Sequence, residues 1–140
     1  TFEKKIMMNP SSASQSAFAG QMLRLFSRNE IHHVPVTHII RLEAESNYTY
    51  IYLVNHKKFF MANVLSTYES ILAPLGFIRT HRSHLVNPMY VQTLQITGEM
   101  VMADNSRVEV SRRRKKMVKN LLDAGLRYQE MPFLTLSAAS

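Results

Sequence analysis

The sequence contains no cysteine, and none of its apolar runs is long enough to cross a membrane. A chain without cysteine has no disulfide framework, no thiolate metal site and no cysteine nucleophile, which fits a reducing compartment, so we expect a cytoplasmic protein. No signal peptide or lipidation motif is recognisable. The first residue is Thr1 rather than methionine, which indicates a fragment or a processed chain and leaves room for an upstream domain.

The composition is that of a globular protein with an excess of positive charge. The 140 residues are 46% hydrophobic and 19% charged, which suits one domain with a core of ordinary size. The formal net charge is +7, and the residues from Arg112 to Lys116 are all basic. Such a patch indicates a polyanionic partner, and nucleic acid is favoured over an anionic membrane because no membrane-targeting feature accompanies it.

The chain divides into a domain and two flanking segments. Residues 1–30 predict a linker or tether, because residues 1–20 end in a run of Ser, Ala, Asn and Pro with little periodicity. A short helix is allowed within this segment, from Gln21 to Ser27. Residues 31–125 carry the pattern of a folded domain, and residues 126–140 form a C-terminal tail without a clear pattern.

Short β-branched and aromatic runs, separated by turn residues, predict a β-rich α+β domain. Strands are expected at Ile31–Val36, Ile39–Leu42, Tyr48–Val54 and Lys57–Phe60, and a meander is expected at Val91–Ile96, Met100–Met102 and Arg107–Val110.

Two helices complete the pattern. The first opens on the capping box Ser66-x-x-Glu69 and ends near Gly76, and its apolar stripe is Tyr68, Ile71, Leu72 and Leu75. The second is capped by Ser111 and stops at Gly125, and its buried face is Met117, Val118, Leu121 and Leu122.

The stretch Phe77–Pro88, FIRTHRSHLVNP, concentrates side-chain hydrogen-bond donors. Every residue from Arg79 to His84 carries one. These donors suit phosphate oxygens, and the fork of arginine also suits O6 and N7 of guanine. Taken alone, the run is explained somewhat better as a solvated turn closed by Asn87-Pro88.

The basic run Arg112–Lys116 stands at the start of the last predicted helix, where the helix dipole disfavours cations. A local rule that is broken repeatedly indicates function, because a phosphate at this point is held by backbone N–H groups, dipole and side chains together. A solvated helix face kept basic for solubility is the weaker interpretation.

Three blocks resemble the LytTR family of DNA-binding domains over roughly residues 31–122. They are the Glu43–Tyr48 block with its Ser-Asn-Tyr, the block His81-Arg82-Ser83-x-Leu85-Val86-Asn87, and Val110-Ser111-Arg112-Arg113 opening the last helix. The resemblance implies an elongated stack of small antiparallel β-sheets with a short inserted helix and a C-terminal helix. It also implies sequence-specific binding of double-stranded DNA by a bacterial transcriptional regulator, as the output domain of a two-component response regulator.

The resemblance also implies roles for individual residues. Bases are read by Asn47, Arg82 and Arg113, and phosphates are held by His81, Ser83, Ser111, Arg112 and Lys115, with Tyr48 and Thr49 as further candidates. An Asx turn explains Asn47 about equally well, an N-cap is compatible with the role of Ser111, and His81 is equally suited to a structural role. The carboxylates of Glu43 and Glu45 are expected to point sideways and to pair with Arg41 or Arg79.

The expected partner is duplex DNA with repeated half-sites, bound by two copies of the protein, and a receiver domain is expected upstream. The nearest alternative is an RNA or single-strand binding module whose Tyr48–Tyr52 strand stacks bases, although a β core explains these tyrosines more simply. A phosphoryl-transfer or hydrolytic enzyme would use His81 and His84, and a metal site would add His32 and His33, but no carboxylate partner is apparent in the sequence. We therefore expect no enzymatic activity, no cofactor and no metal.

Overall fold

A computed structural model of the chain describes residues 20–129, with side chains described as far as Ala124. Residues 1–19 of the expected linker (1–30) and residues 130–140 of the expected tail (126–140) lie outside the described residues. The remaining positions contain three antiparallel sheets and two helices, which confirms the prediction of a β-rich α+β fold.

The sheets follow one another along the chain. Strands β1 (Met22–Ser27) and β2 (Glu30–Pro35) form a hairpin. The five-stranded sheet has the order β5-β4-β3-β7-β6, with β3 at Ile39–Glu45, β4 at Tyr48–Leu53, β5 at Lys58–Met61, β6 at Ile78–His81 and β7 at His84–Val86. The three-stranded meander contains β8 (Val91–Leu94), β9 (Glu99–Met102) and β10 (Arg107–Glu109).

Residues Met22–Ser27 form a strand, so the short helix allowed there is wrong. Leu23 and Leu25 are buried while their neighbours face solvent, which is the two-residue period of a strand. Arg28 and Asn29 both have positive φ, 51° and 68°, as the favoured two-residue hairpin turn requires. Pairing with β2 across this turn therefore overrides the weak helical signal of the segment.

The five-stranded sheet separates two hydrophobic cores. One face packs against the β1–β2 hairpin and the first helix, α1 (Leu65–Leu72), through a core that includes Leu25, Ile39, Leu42, Ile51, Leu72 and Leu85. The other face packs against the meander and the last helix, α2 (Lys115–Gln129), through a core that includes Ile40, Val86, Met100, Met102, Val108 and Val118. Burial of both faces fixes the register of the central strands.

Helix α1 differs in detail from its prediction. Its N-cap residue is Val64, which provides no side-chain hydrogen bond, so Ser66 already lies inside the helix and the expected capping box is not formed. The carboxylate of Glu69 pairs instead with Arg79. Ile71 is 48% exposed rather than buried. The helix continues as a 3₁₀ turn, Ala73–Leu75, and ends as predicted at Gly76, whose φ is +108°.

Helix α2 is preceded by a 3₁₀ turn, Arg112–Arg114, and runs through Gly125 instead of stopping there. Ser111 occupies the N-cap position of the 3₁₀ turn, but its side chain makes no capping hydrogen bond. Val118 is buried and Leu122 is partly buried, whereas Met117 and Leu121 face solvent. The buried stripe is therefore narrower than predicted, because only positions four residues apart meet the sheet.

Candidate nucleic-acid interface

Three polar segments meet at one end of the five-stranded sheet. The β3–β4 turn lies beyond Glu45, and β7 begins at His84 opposite Glu43, so the β6–β7 turn lies at the same end. The backbone N–H of Ala44 donates to the carbonyl of Ser83 at 2.9 Å, which joins the two turns. The N–H of Ser111 donates to the carbonyl of Thr80 at 2.8 Å, which brings the basic segment to the same edge. The fold thus assembles the three blocks that the sequence separates.

Asn47 is exposed in the two-residue turn between β3 and β4. Ser46 adopts a φ of +55°, which allows the strands to reverse within two residues. Within the described part of the chain the Asn47 side chain makes no hydrogen bond, so no Asx turn occupies it. Its amide is available for a ligand.

The β6–β7 turn presents Arg82 to solvent and is fixed from behind by Arg79. Arg79 donates from Nε to the carbonyl of His81 at 2.9 Å and from Nη2 to the carbonyl of Arg82 at 2.7 Å. Its Nη1 pairs with Glu69 of helix α1. The two arginines therefore have different roles, since Arg79 supports the turn and Arg82 is exposed at its tip.

The basic segment before α2 also divides into exposed and engaged side chains. Arg112 and Arg113 are exposed. Arg114 is half-buried, with its Nη1 3.4 Å from the carbonyl oxygen of Arg79. Lys115 donates from Nζ to the carbonyl of Ile96 at 3.1 Å, so this predicted phosphate ligand already has a protein partner.

The remaining predicted phosphate ligands differ in their exposure and in their contacts. Ser83 and Ser111 are half-buried, and each makes one of the two backbone hydrogen bonds that join the segments. Tyr48 is 44% exposed, and its ring stacks on Phe60 with centroids 4.9 Å apart. Thr49 is fully buried and donates from Oγ1 to the carbonyl of Asn63 at 2.7 Å, so its prediction as a phosphate ligand is wrong.

The tyrosine stripe of β4 was expected in a core, and this explanation is wrong. Tyr50 and Tyr52 are half-buried on the same face as Tyr48. Lys58 lies 5.1 Å from the ring centroid of Tyr50, and Arg41 lies 4.0 Å from that of Tyr52. Aromatic rings with adjacent cations form a partly exposed surface here.

His81 and His84 lie in a cleft of about 610 Å³ between the five-stranded sheet and the meander. His81 Nδ1 accepts a hydrogen bond from the N–H of Ser83 at 3.1 Å, and His81 Nε2 lies 3.6 Å from Oε1 of Glu109. The expectation that no carboxylate accompanies these histidines is therefore wrong. Burial lowers the pKa of His84 below its ordinary value, which favours the neutral form of its imidazole.

The expected ion pair of Glu43 is confirmed. Its carboxylate lies 2.7 Å from Nη1 of Arg41, and Nε of the same guanidinium donates to the hydroxyl of Ser106 at 3.1 Å. The alternative pairing of either glutamate with Arg79 is wrong, because Arg79 is committed to Glu69. Glu45 is exposed and has no ion-pair partner among residues 20–129.

Sequence reasoning missed the supporting role of Arg79 and Arg114. The burial pattern of β6 alternates, and Arg79 lies half-buried between buried Ile78 and Thr80. Strand periodicity could have separated this arginine from Arg82, which follows the end of the strand. The exposed basic turns indicate the class of the protein, a nucleic-acid-binding domain that presents loops from one end of a sheet.

Comparisons with known proteins agree with this class. Residues 29–123 match the family model of the LytTr DNA-binding domain. The chain is 31% identical over 124 residues to the sensory transduction protein LytT of Bacillus subtilis strain 168, covering 85% of this chain and 51% of that protein. It is 28% identical over 110 residues to the transcriptional regulatory protein LytR of Staphylococcus aureus strain MW2, covering 71% of this chain and 44% of that protein.

A solved LytTr DNA-binding domain from Bacillus cereus superposes with a TM-score of 0.61 at 25% identity, covering 72% of this chain and 95% of that one. The chain spans about half the length of the curated relatives given above. It belongs to the LytTR family of DNA-binding domains. No helix in the described part of the chain is long and apolar enough to cross a membrane.

Proposed function

We propose that this chain binds double-stranded DNA with sequence specificity, as the cytoplasmic output domain of a two-component transcriptional regulator. The observation that carries the proposal is the convergence of the Asn47 turn, the Arg82 turn and the Arg113 segment at one end of the five-stranded sheet, with all three side chains exposed. Backbone hydrogen bonds join the three segments, so the reading side chains are held by a rigid scaffold.

In this proposal Asn47 pairs with adenine, and Arg82 and Arg113 pair with guanine in the major groove. An asparagine amide matches N6 and N7 of adenine, and an arginine fork matches O6 and N7 of guanine. Exposed Arg112 and the hydroxyls of Ser83 and Ser111 contact phosphates beside these bases, which fixes the register of the domain without reading sequence.

His81 and Lys115 are weaker phosphate ligands within this proposal. Glu109 lies 3.6 Å from His81 and repels a phosphate that approaches the same nitrogen. Lys115 must leave the carbonyl of Ile96 or share its ammonium protons between that oxygen and a phosphate. Tyr48 retains a phosphate role only through its hydroxyl, since its ring is stacked on Phe60.

The regulatory part of the proposal rests on the relatives. Their names describe sensory transduction and transcriptional regulation, and the chain covers 51% and 44% of the two proteins compared. We propose an upstream receiver domain and two copies bound to repeated half-sites. The sequence of the complete gene product tests the first point, and the stoichiometry on a selected duplex tests the second.

Selection from a random duplex pool is the decisive experiment. The expected result is an enriched motif with repeated half-sites that binds far more tightly than random duplex at the same salt concentration. Equal affinity for selected and random duplex would contradict sequence-specific binding. An enriched motif bound by a single copy at saturation would refute only the two-copy arrangement.

The partly exposed aromatic face favours a second candidate, binding of single strands or RNA. The stacked pair Tyr48–Phe60 and the adjacent Lys58 offer a platform for unpaired bases. Competition of duplex DNA with single-stranded DNA and RNA, at one salt concentration, separates the two candidates. The Phe60→Ala variant should weaken single-strand binding only, because Phe60 lies outside the three proposed reading segments.

A further inference from the structure

Two imidazoles and a carboxylate from different strands converge in the cleft beside the candidate interface. His81 ends β6, His84 begins β7 and Glu109 ends β10. One candidate ligand atom from each lies within 4.8 Å of the other two. His81 Nε2 and Glu109 Oε1 are 3.6 Å apart, which is longer than a hydrogen bond and close to the separation of two ligands on one ion.

We propose that His81, His84 and Glu109 form a binding site for a late first-row divalent cation, with Zn²⁺ as the expected ion. Two imidazole nitrogens and one carboxylate oxygen are a donor set that Zn²⁺ takes in proteins, with a fourth position left to water. Oxygen-only ions such as Mg²⁺ and Ca²⁺ are disfavoured because two of the three ligands are nitrogens.

The distances fit the ion after a contraction of at most about 1.5 Å between ligand atoms. Zinc–ligand bonds of 2.0–2.2 Å in a tetrahedron place ligand atoms about 3.3 Å from one another. The 3.6 Å separation of His81 and Glu109 is already close to this value, and the widest separation in the group is at most 4.8 Å. The side chain of Glu109 is 72% exposed and that of His81 is 22% exposed, so the carboxylate moves toward a more firmly held imidazole.

The electrostatics of the cleft also favour a cation at this point. Three glutamates line it, and two of them are neutralised, because Glu43 pairs with Arg41 and Glu99 pairs with Arg107 at 3.0 Å. Glu109 has no arginine or lysine partner within the described residues, although Arg112 lines the same cleft. A carboxylate thus faces two imidazoles without a permanent positive charge to balance it.

His84 supplies an independent observation. Its Nδ1 is buried and has no hydrogen-bond partner in the described part of the chain. Buried polar side-chain atoms are nearly always satisfied, so a lone imidazole nitrogen requires an explanation. Coordination of an ion through Nδ1 of His84 would give this atom a partner, and the His84 ring lies beside that of His81 at a centroid distance of 5.6 Å.

Binding has a local consequence at Ser83. The N–H of Ser83 donates to His81 Nδ1, so the proton of the neutral His81 ring lies on Nε2. An ion at Nε2 requires the other tautomer, in which the proton has moved to Nδ1 and the Ser83 amide has lost its acceptor. Metal binding therefore breaks one hydrogen bond in the turn that carries Arg82, and a change at the Ser83 amide would signal this loss.

Titration of the untagged 140-residue protein with Zn²⁺, and with Co²⁺ as an optical probe, tests the site. We expect one ion per chain and, for Co²⁺, the visible absorption of a tetrahedral complex. Glu109→Gln and His81→Gln should each weaken binding by about tenfold or more. Matched controls are Glu99→Gln, a glutamate of the same cleft, and His32→Gln, which removes a histidine 3.4 Å from Glu30 without a third ligand.

Two results would overturn the proposal. The first is absence of stoichiometric binding to the wild-type protein, and the second is binding that the double variant Glu109→Gln/His81→Gln retains. If a variant misfolds, a measurement on the wild-type protein alone still tests the site. Zn²⁺ should shift the imidazole resonances of His81 and His84 and the amide of Ser83, whereas shifts confined to His32, His33, His38 or His56 would show adventitious surface binding and refute the site.

Discussion

Arg79 donates a hydrogen bond of 2.7 Å from Nη2 to the carbonyl oxygen of Arg82, three residues further along the chain. The same guanidinium donates to the carbonyl of His81 and pairs with Glu69 of helix α1. The turn that presents Arg82 is therefore tied to the first hydrophobic core through one side chain. The proposed base-reading role of Arg82 would gain precision from this support, since the backbone of the turn is tied to the helix.

Replacing Arg79 with methionine should lower the free energy of unfolding by about 2 to 3 kcal/mol, because two carbonyl groups and Glu69 lose a charged donor. The aliphatic part of the side chain is kept, so packing changes little. Urea unfolding measures the loss. Glu69→Gln is the control, since it leaves both turn hydrogen bonds intact and should lower stability by only about 1 kcal/mol. Equal losses in the two variants would show that the turn contacts contribute nothing.

Asn87 is the second side chain on which the fold depends. It is fully buried, its Nδ2 donates to the carbonyl of Ile39 at 2.9 Å, and its Oδ1 accepts from the N–H of Met89 at 3.0 Å. Asn87→Ala should lower the free energy of unfolding by about 2 to 3 kcal/mol, because two backbone groups lose their partner. Ser70→Ala removes an exposed hydrogen bond to Thr67 and should change stability by less than about 0.5 kcal/mol.

The proposed turn at Asn87-Pro88 was predictable from the dipeptide, and the 3₁₀ turn Pro88–Tyr90 follows it. The burial of Asn87 was not predictable, because the carbonyl group of Ile39 that its side chain binds lies 48 residues away in the sequence. The same limit applies to Glu109, whose place beside His81 depends on how the meander packs on the larger sheet. Local patterns locate turns and strands, whereas contacts between sheets depend on the tertiary packing.

Local signals in the sequence bear on two other errors. Tyr48, Tyr50 and Tyr52 alternate along β4 and so share one face, which puts Thr49 on the opposite face with buried Ile51. That alternation already argued against Thr49 as a phosphate ligand. The run Met22–Ser27 alternates as a strand does, but a strand needs a partner, and the turn residues Arg28 and Asn29 do not form the familiar Asn-Gly signal of a hairpin.

Gly76 and Gly98 provide a matched test of backbone strain. Their φ angles are +108° and +99°, and a Cβ at Gly76 would meet nothing within 4 Å, whereas one at Gly98 would lie 3.1 Å from Cε of Lys115. Gly76→Ala should lower the free energy of unfolding by about 1 to 2 kcal/mol through backbone strain alone. Gly98→Ala should lower it further, because the Lys115 side chain must also shift by a few tenths of an ångström while it is held by its hydrogen bond to the carbonyl of Ile96. Gly20→Ala, in open space without positive φ, is the control, and urea unfolding measures all three.

The exposed position of Arg113 and the engaged position of Lys115 lead to different binding signatures. Arg113→Ala should weaken binding to the selected duplex by about 1 to 3 kcal/mol and change binding to random duplex little, because only a base contact discriminates between them. Affinities for both duplexes at one salt concentration measure the difference. An equal loss on the two duplexes would make Arg113 a phosphate contact, and Arg112→Ala and Arg114→Ala then test whether a neighbouring arginine is the base reader.

Lys115→Met is the companion variant, since methionine keeps aliphatic contact near Gly98 while the charge is removed. If the ammonium group reaches a phosphate, both duplexes should be weakened by a similar factor, and the slope of log affinity against log salt should fall in magnitude by roughly one unit, because one fewer counterion is released. If its only partner is the carbonyl of Ile96, the free energy of unfolding should fall while the salt slope stays unchanged. Lys116→Met provides the reference, because Lys116 is exposed and makes no hydrogen bond within residues 20–129. Measuring unfolding and salt slope on both variants therefore shows whether the charge of Lys115 stabilises the fold, binds DNA or does both.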